Sequence, residues 1–103
     1  MTIVYKKAIR DKIPEIIKDS GKECKILTLS DEEFLIELEK KIQEEYEEYL
    51  ESKSIEELAD IWEIIMKIIE LKQSSLDELN LIRLTKKQKR GGFEKNLFLI
   101  NTY

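Results

Sequence analysis

The sequence predicts an all-α fold: a helical bundle built around an antiparallel helix hairpin, with a minor two-stranded β element joining the chain ends. Three observations carry this. Ser30-Asp31-Glu32-Glu33, Ser54-Ile55-Glu56-Glu57 and Ser75-Leu76-Asp77-Glu78 repeat the pattern S-x-x-E. In that pattern Ser and Glu satisfy free amide groups reciprocally at a helix start. Apolar residues then recur at spacings of three and four, the signature of one buried helix face. Finally, 42% hydrophobic and 39% charged residues fit a helix-rich chain better than a disordered one. At 103 residues the chain is expected to be one domain, 1–103. Its core leaves so little to spare that oligomerisation is expected.

The elements follow in order. Pro14 suits the first turn of a short helix, and Gly21 supplies its stop just after Ser20. Lys25-Ile26-Leu27-Thr28 reads as a short strand. A helix at 31–51 carries Leu35, Leu38, Ile42, Tyr46 and Tyr49 on one stripe, with Phe34 at its edge. After the turn Glu51-Ser52-Lys53-Ser54, a helix at 55–72 is apolar around most of its circumference. Glu56, Glu63, Lys67 and Glu70 form its polar side. Such a helix belongs in the middle of a bundle or at a subunit interface. A third long helix runs over 76–89 and ends at Gly91-Gly92. Asn96-Leu97-Phe98-Leu99-Ile100 reads as a second strand, expected to pair with 25–28.

Composition excludes several classes. A net charge of −4 argues against binding nucleic acid polymers. The stretch Ile61–Ile69 is too short, and too interrupted by Glu63 and Lys67, to span a bilayer. Met1–Lys7 lacks the apolar core of a signal peptide. Cys24 is alone, so no intrachain disulfide forms and a cytoplasmic location is expected. The chain has no His, which removes imidazole ligation and His-based acid–base chemistry. A catalytic metal would be held by oxygen, favouring Mg²⁺ or Mn²⁺ over Zn²⁺.

Four acids offer that oxygen. Glu45 and Glu48 precede the central turn, Glu57 and Asp60 follow it, and both pairs are equidistant from a turn centre between 52 and 53. In an antiparallel hairpin they face each other. On each helix they are separated by about 4.5 Å of rise, across an interaxial distance of about 8–10 Å. Glu45 projects between Phe34 and Leu38, and Glu57 between Ile64 and Ile68, both inside apolar arcs. Asp60 lies on the border and Glu48 just beyond it. Unpaired carboxylates there are costly, and two at about 4 Å repel by roughly 4 kcal/mol at an effective dielectric of 20. A divalent cation removes that repulsion and can act on phosphoryl groups. Glu44, beside the cluster, is placed to act as general base for water. Taken singly, each acid has an ordinary explanation: 22 acidic residues generate such spacings often, and Glu57 also fits a capping box. The convergence of all four points to Mg²⁺, with Mn²⁺ as a substitute.

Arg10 and Lys12 precede the Pro14 helix, and Lys86 and Arg90 lie four apart near the end of the last helix. All four are candidates for substrate phosphates, which suit arginine forks. The helix dipole explains the C-terminal cations equally well. Trp62, Tyr46 and Tyr49 read as packing residues.

Glu44-Glu45-Tyr46-Glu47-Glu48 followed by Glu57-Leu58-Ala59-Asp60 resembles the EExxE…ExxD signature of the MazG-like all-α nucleoside triphosphate pyrophosphohydrolases. Tyr5-Lys6-Lys7-Ala8-Ile9-Arg10-Asp11-Lys12-Ile13-Pro14-Glu15 is similar to the opening of their small phosphoribosyl-ATP pyrophosphohydrolase-like, or house-cleaning, branch. Lys89-Arg90-Gly91-Gly92-Phe93-Glu94-Lys95 is similar to that branch's closing segment. The resemblance implies cleavage between the α and β phosphates of a nucleoside triphosphate, giving a monophosphate and pyrophosphate. It implies Mg²⁺ at Glu45, Glu48, Glu57 and Asp60, and a homodimer or higher homo-oligomer. The eight residues between Glu48 and Glu57 are fewer than in many members. Two alternatives stand beside this reading: a non-catalytic helical nucleotide-binding or interaction module, and a phosphoribosyl-ATP pyrophosphohydrolase.

Overall fold

A computed structural model describes residues 2–103. Among them the chain is all-helical, with α1 at Ile13–Asp19, α2 at Asp31–Ser52, α3 at Ile55–Leu71 and α4 at Leu76–Arg90. No helix among these residues is long and apolar enough to cross a membrane.

The helix starts explain themselves locally. Ser30 caps α2 with a full capping box: its hydroxyl accepts from the Glu33 amide at 3.2 Å, and the Glu33 carboxylate accepts from the Ser30 amide at 3.3 Å. Ser75 caps α4 by accepting from the Glu78 amide at 3.1 Å, while the Glu78 carboxylate turns to the Ser74 hydroxyl at 2.6 Å. The start of α3 departs from the expected pattern. Ser54 accepts from the Glu56 amide at 3.1 Å, so Glu57 is not the acid of a capping box. Between α2 and α3 the chain reverses in two residues, with Lys53 in the left-handed region at φ 56° and Ser54 extended. Gly21, at φ 88°, follows α1, where a side chain would be strained.

The most extensive helix–helix contact joins α2 to α3, and α4 touches α3 only locally. Ala8, Leu38 and Ile64 form the buried centre, with Phe34, Ile42, Ile68 and Leu71 packed around it. As positions fall along α2 from 45 to 38, their α3 partners rise from 57–60 to 64. The seam on α2 therefore runs through 34, 38, 41, 45 and 48, alternating four and three, as interlocking helices require. Ala8 is the outlier, a residue from the N-terminal segment pinned against both helices.

The expected two-stranded β element is absent among the described residues. No backbone–backbone hydrogen bond involves 25–28 or 96–100, and Leu27, Leu97 and Phe98 are largely exposed. The apolar run at 97–100 lacks the alternation that would turn one face inward. β-propensity without a partner or a covered face is too weak to form a strand pair.

Candidate metal centre

Glu45 sits on the α2 seam about two turns beyond Leu38's layer, where a core residue would normally stand. It is 7% exposed. Its Oε2 is buried and has no hydrogen-bond partner among the described residues. Two groups of carboxylate oxygens meet at Glu45: Glu44, Glu45 and Glu48 on α2 form one, and Glu45 joins Glu57 and Asp60 of α3 in the other. Within each group the oxygens lie within 4.8 Å of one another. Glu57 and Asp60 are half-buried and Glu48 is exposed, so the cluster opens to solvent at the Glu48 edge.

Removal from water, followed by the neighbouring Glu48 and Asp60 carboxylates, pushes the Glu45 carboxyl up to about 7, with Lys41 pulling the other way. Glu57 is also raised, first by desolvation, with the Glu48 and Asp60 charges adding to it. Burial and like charge, the causes acting on Glu45 and Glu57, are both opposed by nearby positive charge.

Part of that charge comes from the N-terminal segment. With Ala8 buried against Leu38 and Ile64, its flanking cations land on the acids. The Lys7 ammonium donates to Glu44 Oε1 at 3.0 Å, and Arg10 Nη2 donates to Asp60 Oδ1 at 2.8 Å. The Glu44 bond, chiefly, raises the Lys7 pKa. Lys41 approaches Glu44 and Glu45 only to 3.9 and 3.8 Å. None of these cations reaches Glu45 Oε2.

The other basic residues singled out in the sequence lie elsewhere. Lys12 is the exposed N-cap of α1. Lys86 and Arg90 are exposed on α4, and no ion pair among the described residues ties either to the acids. Glu94 pairs with Lys87 at 3.5 Å. Lys7 and Lys41 are the site residues that sequence reading missed. Lys41 had a signal, standing three and four positions before Glu44 and Glu45. Lys7 had none, because 37 positions separate it from Glu44.

The donor set suits a hard divalent ion. It is all oxygen, and opposite ligands around Mg²⁺ at roughly 2.1 Å lie about 4.2 Å apart, inside the 4.8 Å within which each group's oxygens fall. An orphaned acceptor oxygen at the centre is the group such an ion would satisfy.

Among the described residues the chain is all-helical, with a partly buried cluster of five carboxylates at the junction of two helices. No protein-family model matches the chain, and no curated protein or solved structure is significantly similar to it.

Proposed function

We propose that the chain is a Mg²⁺-dependent nucleotide pyrophosphohydrolase of the MazG-like kind, cleaving a nucleoside triphosphate between its α and β phosphates. The observation that carries this reading is Glu45, which has a buried, unpartnered oxygen and belongs to both carboxylate groups. Glu45, Glu48, Glu57 and Asp60 would hold the ion across an antiparallel helix hairpin. A bound Mg²⁺ or Mn²⁺ supplies charge neutralisation on the substrate's phosphates.

The protein's own residues divide the remaining work. Glu44 takes a proton from the attacking water. Water's oxygen bonds to the α-phosphorus as the bond to the bridging oxygen breaks, and pyrophosphate leaves. Lys7, hydrogen-bonded to Glu44, holds that carboxylate in place. Arg10 turns its fork toward phosphate oxygens, an arrangement guanidinium geometry favours. Removal of surplus or modified nucleotides fits a domain this small with an open site.

A pyrophosphate-release screen with Mg²⁺ and Mn²⁺, over ordinary and modified nucleoside triphosphates and phosphoribosyl-ATP, tests the reading. Wild type should release pyrophosphate from at least one triphosphate, while Glu48→Gln and Asp60→Asn lose it with helical content intact. Wild-type turnover by both variants would remove the metal assignment. Turnover confined to phosphoribosyl-ATP would move the substrate class, and nucleotide binding without turnover would mark a non-catalytic module.

A further inference from the structure

If Glu44 activates the water that attacks the α-phosphorus, the base must lie one ribose away from Glu44, because the α-phosphate is the one the ribose carries. An aromatic ring within that reach is placed to take the base. The helices that carry the acids do not present one. Phe34 packs against the buried centre. Tyr49 is half-buried and has Lys53 of the chain reversal over its ring. Tyr46 stands two positions from Glu48, and Trp62 two positions from Asp60. At about 100° per residue, that spacing turns each ring nearly to the opposite side of its helix.

The N-terminal segment does present one. The Lys7 ammonium that donates to Glu44 Oε1 at 3.0 Å also stands over the Tyr5 ring, 5.7 Å from its centre. Those two distances laid end to end are the farthest the ring centre can be from the Glu44 oxygen. That reach matches the span from a phosphate across its ribose to the base. Tyr5 is 66% exposed and belongs neither to the buried centre nor to the residues packed around it. Its backbone is nonetheless held. Ala8, three positions on, is buried against Leu38 and Ile64. Lys6, between Tyr5 and Lys7, is in the left-handed region at φ 49°, a conformation that a residue with a side chain keeps where its surroundings impose it. The segment thus combines a bent, anchored backbone with an aromatic ring left open to solvent beside the acids.

We infer that Tyr5 is the platform on which the substrate's base stacks, with Lys7 between the ring and the phosphate end of the site. This deepens the proposed function and rests on it. Aromatic rings take bases through their faces, and every base offers such a face. Tyr5 therefore selects nucleotides over inorganic polyphosphates without choosing among the bases. The Lys7 charge over one face of the ring is a cation–π contact, and the opposite face is the one for the base.

Calorimetry of the full chain at saturating Mn²⁺ tests this with the α,β-methylene analogues of ATP and CTP, whose bridging carbon prevents cleavage. Inorganic tripolyphosphate is the control without a base. Tyr5→Ala should weaken binding of both nucleotide analogues at least fivefold, the lower end of what stacking one base contributes, and change tripolyphosphate binding less than twofold. Tyr5→Phe keeps the ring and should bind all three as wild type does. Tyr5→Leu keeps bulk without the ring, carries the same expectation as Tyr5→Ala, and decides the matter if the alanine variant does not fold. Unchanged nucleotide affinity in a folded variant lacking the ring overturns the inference and leaves the proposed function standing. An equal loss for tripolyphosphate also overturns it, because Tyr5 would then act through Lys7 and not on a base. A wild type that binds neither analogue overturns the inference together with the proposed function.

Discussion

Arg10 Nη2 donates to Asp60 Oδ1 at 2.8 Å across fifty positions of sequence, placing a guanidinium on an acid proposed to hold a metal. Both side chains are substantially exposed, at 55% and 40%, so the pair contributes at most about 1 kcal/mol. It competes with a cation without excluding one. Arg10→Ala should therefore tighten Mn²⁺ binding by about two- to fivefold, the equivalent of that energy, while weakening binding of the triphosphate. Titration calorimetry with Mn²⁺ alone and then with nucleotide separates the two effects.

Glu45→Gln should act in opposite directions on fold and site. Removing a charge that burial and neighbouring carboxylates disfavour should stabilise the protein without metal by up to about 3 kcal/mol at pH 8, taking 1.36 kcal/mol per pK unit. The same variant should lose the stabilisation that Mn²⁺ gives wild type. Urea melts with and without Mn²⁺ measure both.

The raised Glu45 pKa fixes a pH dependence. Folding lifts the carboxyl from 4.5 to about 7, so between those values the folded protein carries a proton that the unfolded chain does not. With respect to this group, stability is fully present below about pH 4.5, falls as pH rises to about 7, and is flat above. Metal binding needs the ionised form, so Mn²⁺ affinity should rise over the same window, with proton release. Melting temperatures from pH 5 to 8, with and without Mn²⁺, should diverge as pH increases. Parallel curves would contradict the account.

Ser30→Ala removes the hydroxyl that accepts from the Glu33 amide and donates to the Glu33 carboxylate, and should cost about 1 kcal/mol in a urea melt. Ser30 is fifteen positions from Glu45, about four helical turns, so Mn²⁺ affinity should not change.

The legibility of this protein in its sequence follows the range of the interactions involved. The long helices α2, α3 and α4 were readable because caps and three–four periodicity are local, and their ends fall within one residue of those expected. Helical phase alone put Glu45 in the apolar arc, where the structure buries it. At Ser54 local reasoning failed: the pattern S-x-x-E matched, but Ser54 caps Glu56, leaving Glu57 free to join Glu45 and Asp60. The strands at 25–28 and 96–100 were misread because apolar, β-branched composition says nothing about whether a partner lies within reach. The N-terminal segment was illegible for the same reason. Ala8 carries no periodic signal, yet its burial is what delivers Lys7 and Arg10 to the acids.

The most direct test of the central claim is Mn²⁺ titration of wild type beside Glu45→Gln at pH 8, followed by calorimetry. Saturable binding by wild type, weakened at least tenfold in the variant, is the predicted result. Equal affinities, or no binding by either protein, would contradict a cation held at Glu45.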